Sequence, residues 1–289
     1  MAEITLKELL EAGAHFGHQT SRWNPKMRRF ILTAKNGIHL INLKETLNCV
    51  DIAAKKLSEV VENGEYVLFV GTKPQAKDVI RETAEACKQF YIDTRWLGGM
   101  LTNFATIQRS IRKVDDIDKM ESDGTFGSLP KKECNILRKK REKILSVLKG
   151  VREMKVLPGA LVIADIIKEH IALDEAFRLG IPVIGIVDTN SDPSKVGYPI
   201  PANDDSLKTI SIILKDLGRV IVATPVKVVK RIAKPGESIE GRKRVVKRTI
   251  IKKIIKKKRL KGTGDLLAAG EAAGEAVAPA PAADAETID

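Results

Sequence analysis

Three short, almost wholly aliphatic segments constrain the fold of this 289-residue chain more than any other feature. They are 66-YVLFV-70, 160-ALVIAD-165 and 182-PVIGIV-187. Each precedes a stretch in which apolar residues recur at helical spacing, and strands that are buried on both faces have such continuous apolar runs. The pattern predicts an α/β domain: a parallel, flavodoxin- or Rossmann-like sheet in a three-layer arrangement with right-handed crossovers.

Local signals predict further elements around these strands. Asn36-Gly37 lies between two short apolar runs, which predicts a β-hairpin. Apolar spacing predicts helices over 3–13, over 43–62, from Pro74 onward, over 168–179 and over 204–217. The Pro-rich segment 197–205 is predicted to be a loop that ends in a helix cap, where Asp204 and Asp205 suit the positive helix end.

An insertion lies between the first of these three strands, with the helix that follows it, and the second strand. Residues 103–121 and 131–154 have apolar residues at spacings of three, four and seven, and most other positions are charged. Neither segment has an apolar face wide enough to cover a sheet, so we predict an inserted antiparallel two-helix coiled-coil hairpin. The predicted divisions are an α/β sheet domain over 1–102 and 156–224, the hairpin over 103–155, a basic extension over 225–261 and an acidic disordered tail over 262–289.

The net charge of +13 is concentrated in one segment. Residues 225–261 contain 16 basic and 2 acidic residues, whereas residues 262–289 contain 6 acidic residues and no basic ones. A strong positive charge favours a polyanionic partner, and nucleic acid is the commonest. In 245–261 isoleucine and valine recur every fourth residue, so a helix there has an apolar stripe and a basic face. Three interpretations of this segment fit the pattern: a helix that orders when it binds an anion, a solvated tail, or a helix on a membrane surface.

Other classes of protein are disfavoured by what the sequence lacks. No apolar run reaches the roughly 18–20 residues of a membrane span, and the first 13 residues do not resemble a secretory signal. The sequence has three widely spaced cysteines, Cys49, Cys87 and Cys134. This spacing does not fit a disulfide framework or a zinc finger. We expect the cysteines to be small buried side chains in a protein of a reducing compartment. We therefore expect a cytoplasmic protein without a membrane partner.

Motifs for catalysis are also missing. The turn 71-GTKPQAK-77 follows a strand and opens a helix, but it matches neither common phosphate-binding motif. Lys73 is nevertheless a candidate for contact with one backbone phosphate, beside the alternative of a plain turn. His15, His18 and the aspartates around Asp188 are residue types that bind metals, but nothing in the sequence fixes a ligand geometry. We therefore interpret the two histidines as residues that hydrogen-bond or stack on a neighbour. We expect no catalytic residues, no metal, no cofactor and no small-molecule substrate.

Three segments are candidates for RNA contact. In 18-HQTSRWNPKMRRF-30 cations alternate with aromatic rings, which offer phosphate contacts and stacking faces. In 93-DTRWLGGMLTNF-104 a double glycine permits close backbone approach, while Trp96 suits core packing as well as stacking. The second predicted hairpin helix is rich in lysine and arginine. The candidate RNA-binding residues are Arg22, Trp23, Lys26, Arg28, Arg29, Lys73, Arg95, Lys131, Lys132, Arg138, Lys139 and Lys140.

Five motifs, in order, resemble a known family. They are 15-HFGHQTSRWNPKM-27, 67-VLFVGTK-73, 95-RWLGGMLTNF-104, 182-PVIGIVDTNSDP-193 and 200-IPANDD-205. Over about residues 3–224 the chain resembles bacterial small-subunit ribosomal protein S2. Two departures are Ile166 and Ile167, where the family usually has Pro and a basic residue, and the extension beyond 224, which is longer than in a typical member.

The resemblance implies a non-catalytic structural constituent of the small ribosomal subunit that supports translation. Such proteins have an α/β domain with a protruding helical hairpin and bind small-subunit rRNA between head and body. They contact neighbouring small-subunit proteins and help to anchor the largest one. Two other hypotheses stay open: an α/β enzyme for a phosphorylated ligand near Gly71 and Asp188, and an RNA-independent adaptor that docks through the hairpin.

Overall fold

A five-stranded parallel sheet forms the centre of the protein. The computed structural model describes residues 4–127 and 129–226, so the predicted basic extension and acidic tail lie almost wholly outside the described residues. The strands of the sheet are Val67–Val70, β4, Phe90–Ile92, β5, Ala160–Ile163, β6, Val183–Val187, β7, and Tyr198–Pro201, β8. They stand in the order β5-β4-β6-β7-β8. Along the chain this order is 2-1-3-4-5, which is the flavodoxin-like arrangement. The predicted α/β class and parallel sheet are thereby confirmed.

Alternate residues of each central strand enter two separate hydrophobic cores. Val67 and Phe69 pack into one core, while Leu68 and Val70 pack into the other. The first core lies under α2, Leu43–Glu62, α3, Pro74–Ala86, and α7, Leu207–Ala223. The second includes α6, His170–Leu179, together with segments around Met27 and Met100. Burial on both faces explains why the strands are continuously aliphatic.

A smaller antiparallel sheet precedes the main one. After α1, Leu6–Glu11, come β1, Phe16–Gln19, β2, Ile31–Lys35, and β3, Ile38–Ile41, in the order β1-β3-β2. Asn36 and Gly37 connect β2 to β3 and have φ angles of 52° and 76°. Two successive positive φ angles are typical of the type I′ turn, so the predicted Asn-Gly hairpin is confirmed.

The interpretation of residues 197–205 as a loop was partly wrong. Residues 198–201 form β8, which pairs with β7 at one edge of the sheet. Pro199 and Pro201 cannot donate a ladder hydrogen bond, and an edge strand tolerates proline because one side of it has no partner strand. The two prolines are therefore the reason why the sequence pattern predicted a loop where the structure has a strand.

Two long helices occupy the inserted segment. They are α4, Phe104–Ser122, and α5, Lys131–Leu148, which pack against each other. Ile107, Ile111, Val114 and Ile117 are the buried residues of α4. The coiled-coil character and the domain boundaries given above stay predictions. Within the described residues, no helix has the length and apolar character that a membrane span requires.

Candidate nucleic-acid interface

The N-terminal basic loop, residues 20–30, is anchored from beneath and exposes its arginines. It consists of two short 3-10 turns, Thr20–Arg22 and Pro25–Phe30. Met27 is fully buried and Phe30 nearly so, and both belong to the second core. Arg22, Arg28 and Arg29 are exposed and form no ion pair with any other described residue. The loop therefore presents three arginines without an ion pair, on a base that is buried in the second core.

Two other candidates in this loop already have protein partners. The Lys26 ammonium lies 2.7 Å from Asp192 Oδ2. That contact, with the hydroxyl and N–H of Ser194, lowers the pKa of Asp192 to about 2. The half-buried Trp23 ring lies 5.1 Å from the His39 ring, tilted by 47°. Lys26 and Trp23 are thus less available to an RNA than the three arginines.

A buried glutamate organises the second candidate segment, the loop of residues 95–102. Glu175 on α6 is only 5% exposed. Its Oε1 accepts hydrogen bonds from Trp96 Nε1 at 3.2 Å and from the Gly99 N–H at 2.7 Å. Its Oε2 accepts from the Leu101 N–H at 3.0 Å, and from the N–H and hydroxyl of Thr102 at 2.9 and 3.0 Å. Trp96 is therefore a core residue, whereas Arg95 is exposed.

Hydrogen bonding keeps Glu175 ionised. Burial alone raises a carboxyl pKa, but the N–H groups of Thr102, Gly99 and Leu101 outweigh it and lower the pKa of Glu175 below its usual value of 4.5. Nothing in the sequence pairs Glu175 with residues 96–102. The signal in the sequence is a glutamate within the otherwise apolar stripe of α6 that contains Ala172, Leu173 and Ala176.

We expect the substitution Glu175→Gln to cost about 2 kcal/mol of unfolding free energy at pH 7, because an amide nitrogen then faces buried N–H donors. The pKa of Glu175 is lower in the folded protein than in the unfolded chain, so the ionised carboxylate stabilises the fold at any pH above its pKa in the unfolded chain. This stabilisation is lost as the pH falls through the pKa of Glu175 in the folded protein. Urea denaturation should therefore show the difference between wild type and variant shrinking below about pH 4.5. The exposed Glu82→Gln is the control and should change stability by less than about 0.5 kcal/mol. A difference independent of pH would contradict the ionised state.

The structure divides the basic residues of α5 into two sets. Arginines face α4: Arg138 Nη2 lies 3.1 Å from Glu121, and Arg141 pairs with Asp118. Beyond the helix, Arg152 bridges Asp115 and Asp118 at 2.6 and 2.7 Å. Arg138 is therefore a partner of α4 as much as a candidate for RNA.

The lysines of α5 form the other set. Lys132, Lys139 and Lys143 are spaced by seven and four, which places them in one row on the helix, opposite the buried Cys134 and Leu148. Lys131 and Lys140 are also exposed. In the part of the chain that the structure describes, none of these five lysines has an ion-pair partner. The outer surface of α5 is a row of uncompensated positive charge.

Lys73 lies among carboxylates instead of facing outward. Its ammonium is 2.6 Å from Asp205, 3.0 Å from Asp204 and 3.4 Å from Asp165. Burial alone lowers a lysine pKa, but Asp205 and Asp204 outweigh it and raise the pKa of Lys73. Burial together with Asp165 and Asp188 raises the pKa of Asp204 to about 6, despite the Lys73 contact. The charge of Lys73 is thus already balanced by the protein.

The same residues lie at the crevice where flavodoxin-like folds place ligands. That crevice lies between the carboxyl ends of β4 and β6. There Glu169 Oε1 accepts hydrogen bonds from the N–H and the hydroxyl of Thr72. With Asp165 and Asp204 beside it, the crevice is acidic, and an acidic crevice repels phosphate. The arrangement disfavours an enzyme for a phosphorylated ligand.

His18 joins this acidic group from β1. Its Nδ1 lies 3.1 Å from Asp188 Oδ2, and this hydrogen bond raises the pKa of His18 although burial opposes it. Single ligand atoms of His18, Asp188 and Asp204 lie within 4.8 Å of one another, a spacing compatible with a shared metal ion. His15 is not part of the group and stacks on Phe16 with ring centroids 4.0 Å apart. The expectation that no metal is bound stays a prediction.

Fold and charge together define a class of protein. The molecule is a flavodoxin-like α/β protein whose ligand crevice is lined by its own carboxylates, and its unpaired cations among the described residues include those of the N-terminal loop and of α5. The sequence model of the family described as ribosomal protein S2 matches residues 9–224 of the chain. The chain therefore belongs to the ribosomal protein S2 family, whose members are structural proteins of the small ribosomal subunit and are generally not enzymes.

Proposed function

We propose that this protein binds small-subunit rRNA between the head and body of the subunit and helps to anchor the largest small-subunit protein there. It acts in the cytoplasm as a structural constituent of a bacterial ribosome, without a cofactor, and contacts neighbouring ribosomal proteins. Membership of the ribosomal protein S2 family is the observation that carries this proposal.

The charged surfaces support the RNA-binding part of the proposal. Uncompensated cations are exposed on the N-terminal loop, at Arg95 and along α5. Cations of this kind release counter-ions condensed on RNA phosphates, which gives affinity that falls steeply with salt. The proposed contact residues are Arg22, Arg28, Arg29, Arg95, Lys131, Lys132, Lys139, Lys140 and, from the same row on α5, Lys143. Lys26, Trp23 and Arg138 are secondary candidates, and Lys73 is left out because carboxylates surround it.

Replacing Arg22, Arg28 and Arg29 together by alanine should reduce incorporation into small subunits at least tenfold, because three phosphate contacts are lost. Subunits reconstituted with wild-type and variant protein in competition give the ratio directly. The fold should remain intact, since all three side chains are exposed while Met27 and Phe30 keep the loop anchored.

The control for this experiment removes equal charge elsewhere. Lys44, Lys55 and Lys208 are exposed on α2 and α7. Their triple alanine variant should compete about equally with wild type. Equal incorporation of the arginine variant would remove the N-terminal loop from the proposed interface, and a wild-type protein absent from purified subunits would refute the function itself.

A further inference from the structure

We infer that Glu175 is a positioning residue for rRNA binding: it holds the loop of residues 95–102 in the shape that directs Arg95 toward the RNA. The inference rests on the proposed function, since it needs Arg95 to contact rRNA. It assigns Glu175 a role that goes beyond packing, although Glu175 itself is buried and touches no RNA.

The geometry around Glu175 is that of an anion held in a cradle of donors. Five donors from four residues of one short loop converge on its two oxygens, at 2.7 to 3.2 Å. Within the described residues no cation pairs with this carboxylate. The loop thus folds around an anion that α6 supplies, and hydrogen bonds to an ionised acceptor are about twice as strong as neutral ones.

The anchor itself is packed into the second core. On α6, Ala172, Leu173 and Ala176 flank Glu175 and are buried in the second core. A carboxylate on such a helix cannot follow the loop, so the loop has to adopt the shape that reaches it. The φ angle of +86° at Gly99, whose N–H donates to Glu175, belongs to this shape.

Arg95 lies between two anchoring points. On one side the Thr94 hydroxyl donates a hydrogen bond to the Ser146 carbonyl of α5 at 2.7 Å. On the other side Trp96 is 6% exposed and its indole N–H donates to Glu175. The two residues that flank Arg95 are therefore each held by a side-chain hydrogen bond, while the Arg95 side chain is exposed and pairs with no described carboxylate. Holding the segment around a binding side chain lowers the entropy that is lost when it binds.

A merely structural glutamate and a positioning glutamate differ in how they couple to Arg95. If Glu175 acts on rRNA binding through Arg95, its replacement should matter only while Arg95 is present. If it acts only on the stability of the fold, its effect on affinity should be the same with or without Arg95. A double-mutant cycle separates these cases.

The experiment measures the affinity of the full-length protein for small-subunit rRNA at fixed salt, for wild type, E175Q, R95Q and the double variant. We expect E175Q to weaken binding about tenfold in the Arg95 background and less than about twofold in the R95Q background, since residues in one network couple. The thermal midpoint should fall by the same amount in both backgrounds. Equal affinity losses in the two backgrounds, or no loss in either, would overturn the inference.

A milder variant covers the case in which E175Q does not fold. Thr102→Val removes one hydroxyl donor and leaves the four other hydrogen bonds to Glu175 in place. It should weaken binding about twofold to threefold with Arg95 present, and not measurably in R95Q. A wild-type protein that fails to bind the rRNA would refute the proposed function instead, whereas binding that is insensitive to R95Q and to Thr102→Val would refute only the role of Glu175.

Discussion

Replacing Lys73 by methionine should lower the free energy of unfolding by about 3–5 kcal/mol, because it leaves buried carboxylates without their cation. Asp204 is 2% exposed and Asp165 7% exposed, so water cannot replace the lost ammonium. Methionine preserves most of the side-chain volume, which confines the change to charge. Urea or guanidinium denaturation at pH 7.5 measures the loss directly.

Two further variants identify the cause of that loss. Lys77→Met, one turn into the helix that Lys73 caps and half-buried like Lys73, removes a lysine outside the acidic group and should cost less than about 1 kcal/mol. Adding Asp204→Asn to Lys73→Met should recover part of the stability, since it removes one of the uncompensated charges. A Lys73→Met variant as stable as wild type would show that the carboxylates are balanced in another way.

Replacing Lys132, Lys139 and Lys143 together by glutamine should weaken rRNA binding by about two to three orders of magnitude at 0.1 M salt, if each lysine contacts one phosphate. The slope of log affinity against log salt should decrease in magnitude by about one per lysine, and so by about three in total. Titrations of full-length protein with small-subunit rRNA over a range of salt give both quantities.

The matched control again removes three exposed lysines elsewhere, with Lys44, Lys55 and Lys208 changed to glutamine. Its salt slope should stay close to that of wild type. Since the α5 lysines point away from α4 and pair with no described carboxylate, both triple variants should be as stable as wild type. An unchanged slope for the α5 variant would mean that this row faces solvent in the subunit.

Local sequence patterns were sufficient for most of the secondary structure. Continuous aliphatic runs predicted three of the parallel strands, and the Asn36-Gly37 pair predicted the hairpin. They were insufficient for β8, because Pro199 and Pro201 are typical of a loop. An edge strand tolerates proline, but whether a strand lies at an edge depends on the order of strands in the sheet. They were also insufficient for α1, which spans only Leu6–Glu11 of the predicted 3–13.

The candidate site was predictable as a set of segments but not residue by residue. Basic loops and a basic helix are visible in composition, yet Arg138 and Lys139 look alike in sequence and differ in the structure. Arg138 faces α4 and pairs with Glu121, whereas Lys139 points away from it. In the sequence Lys73 is a candidate phosphate ligand. In the structure it lies beside Asp204 and Asp205, which are about 130 residues further along the chain.

The sequence by itself determined the α/β class, the alternation of strands and helices, the family and the excess of positive charge. These properties depend on composition, on periodicity and on motifs that are contiguous in the chain. Only the tertiary structure decided which cations remain uncompensated and which carboxylates become internal partners, as Glu175 does for residues 96–102. Ion pairs and hydrogen bonds form between groups that are close in space, and that proximity arises from the packing of distant segments, which no local pattern encodes.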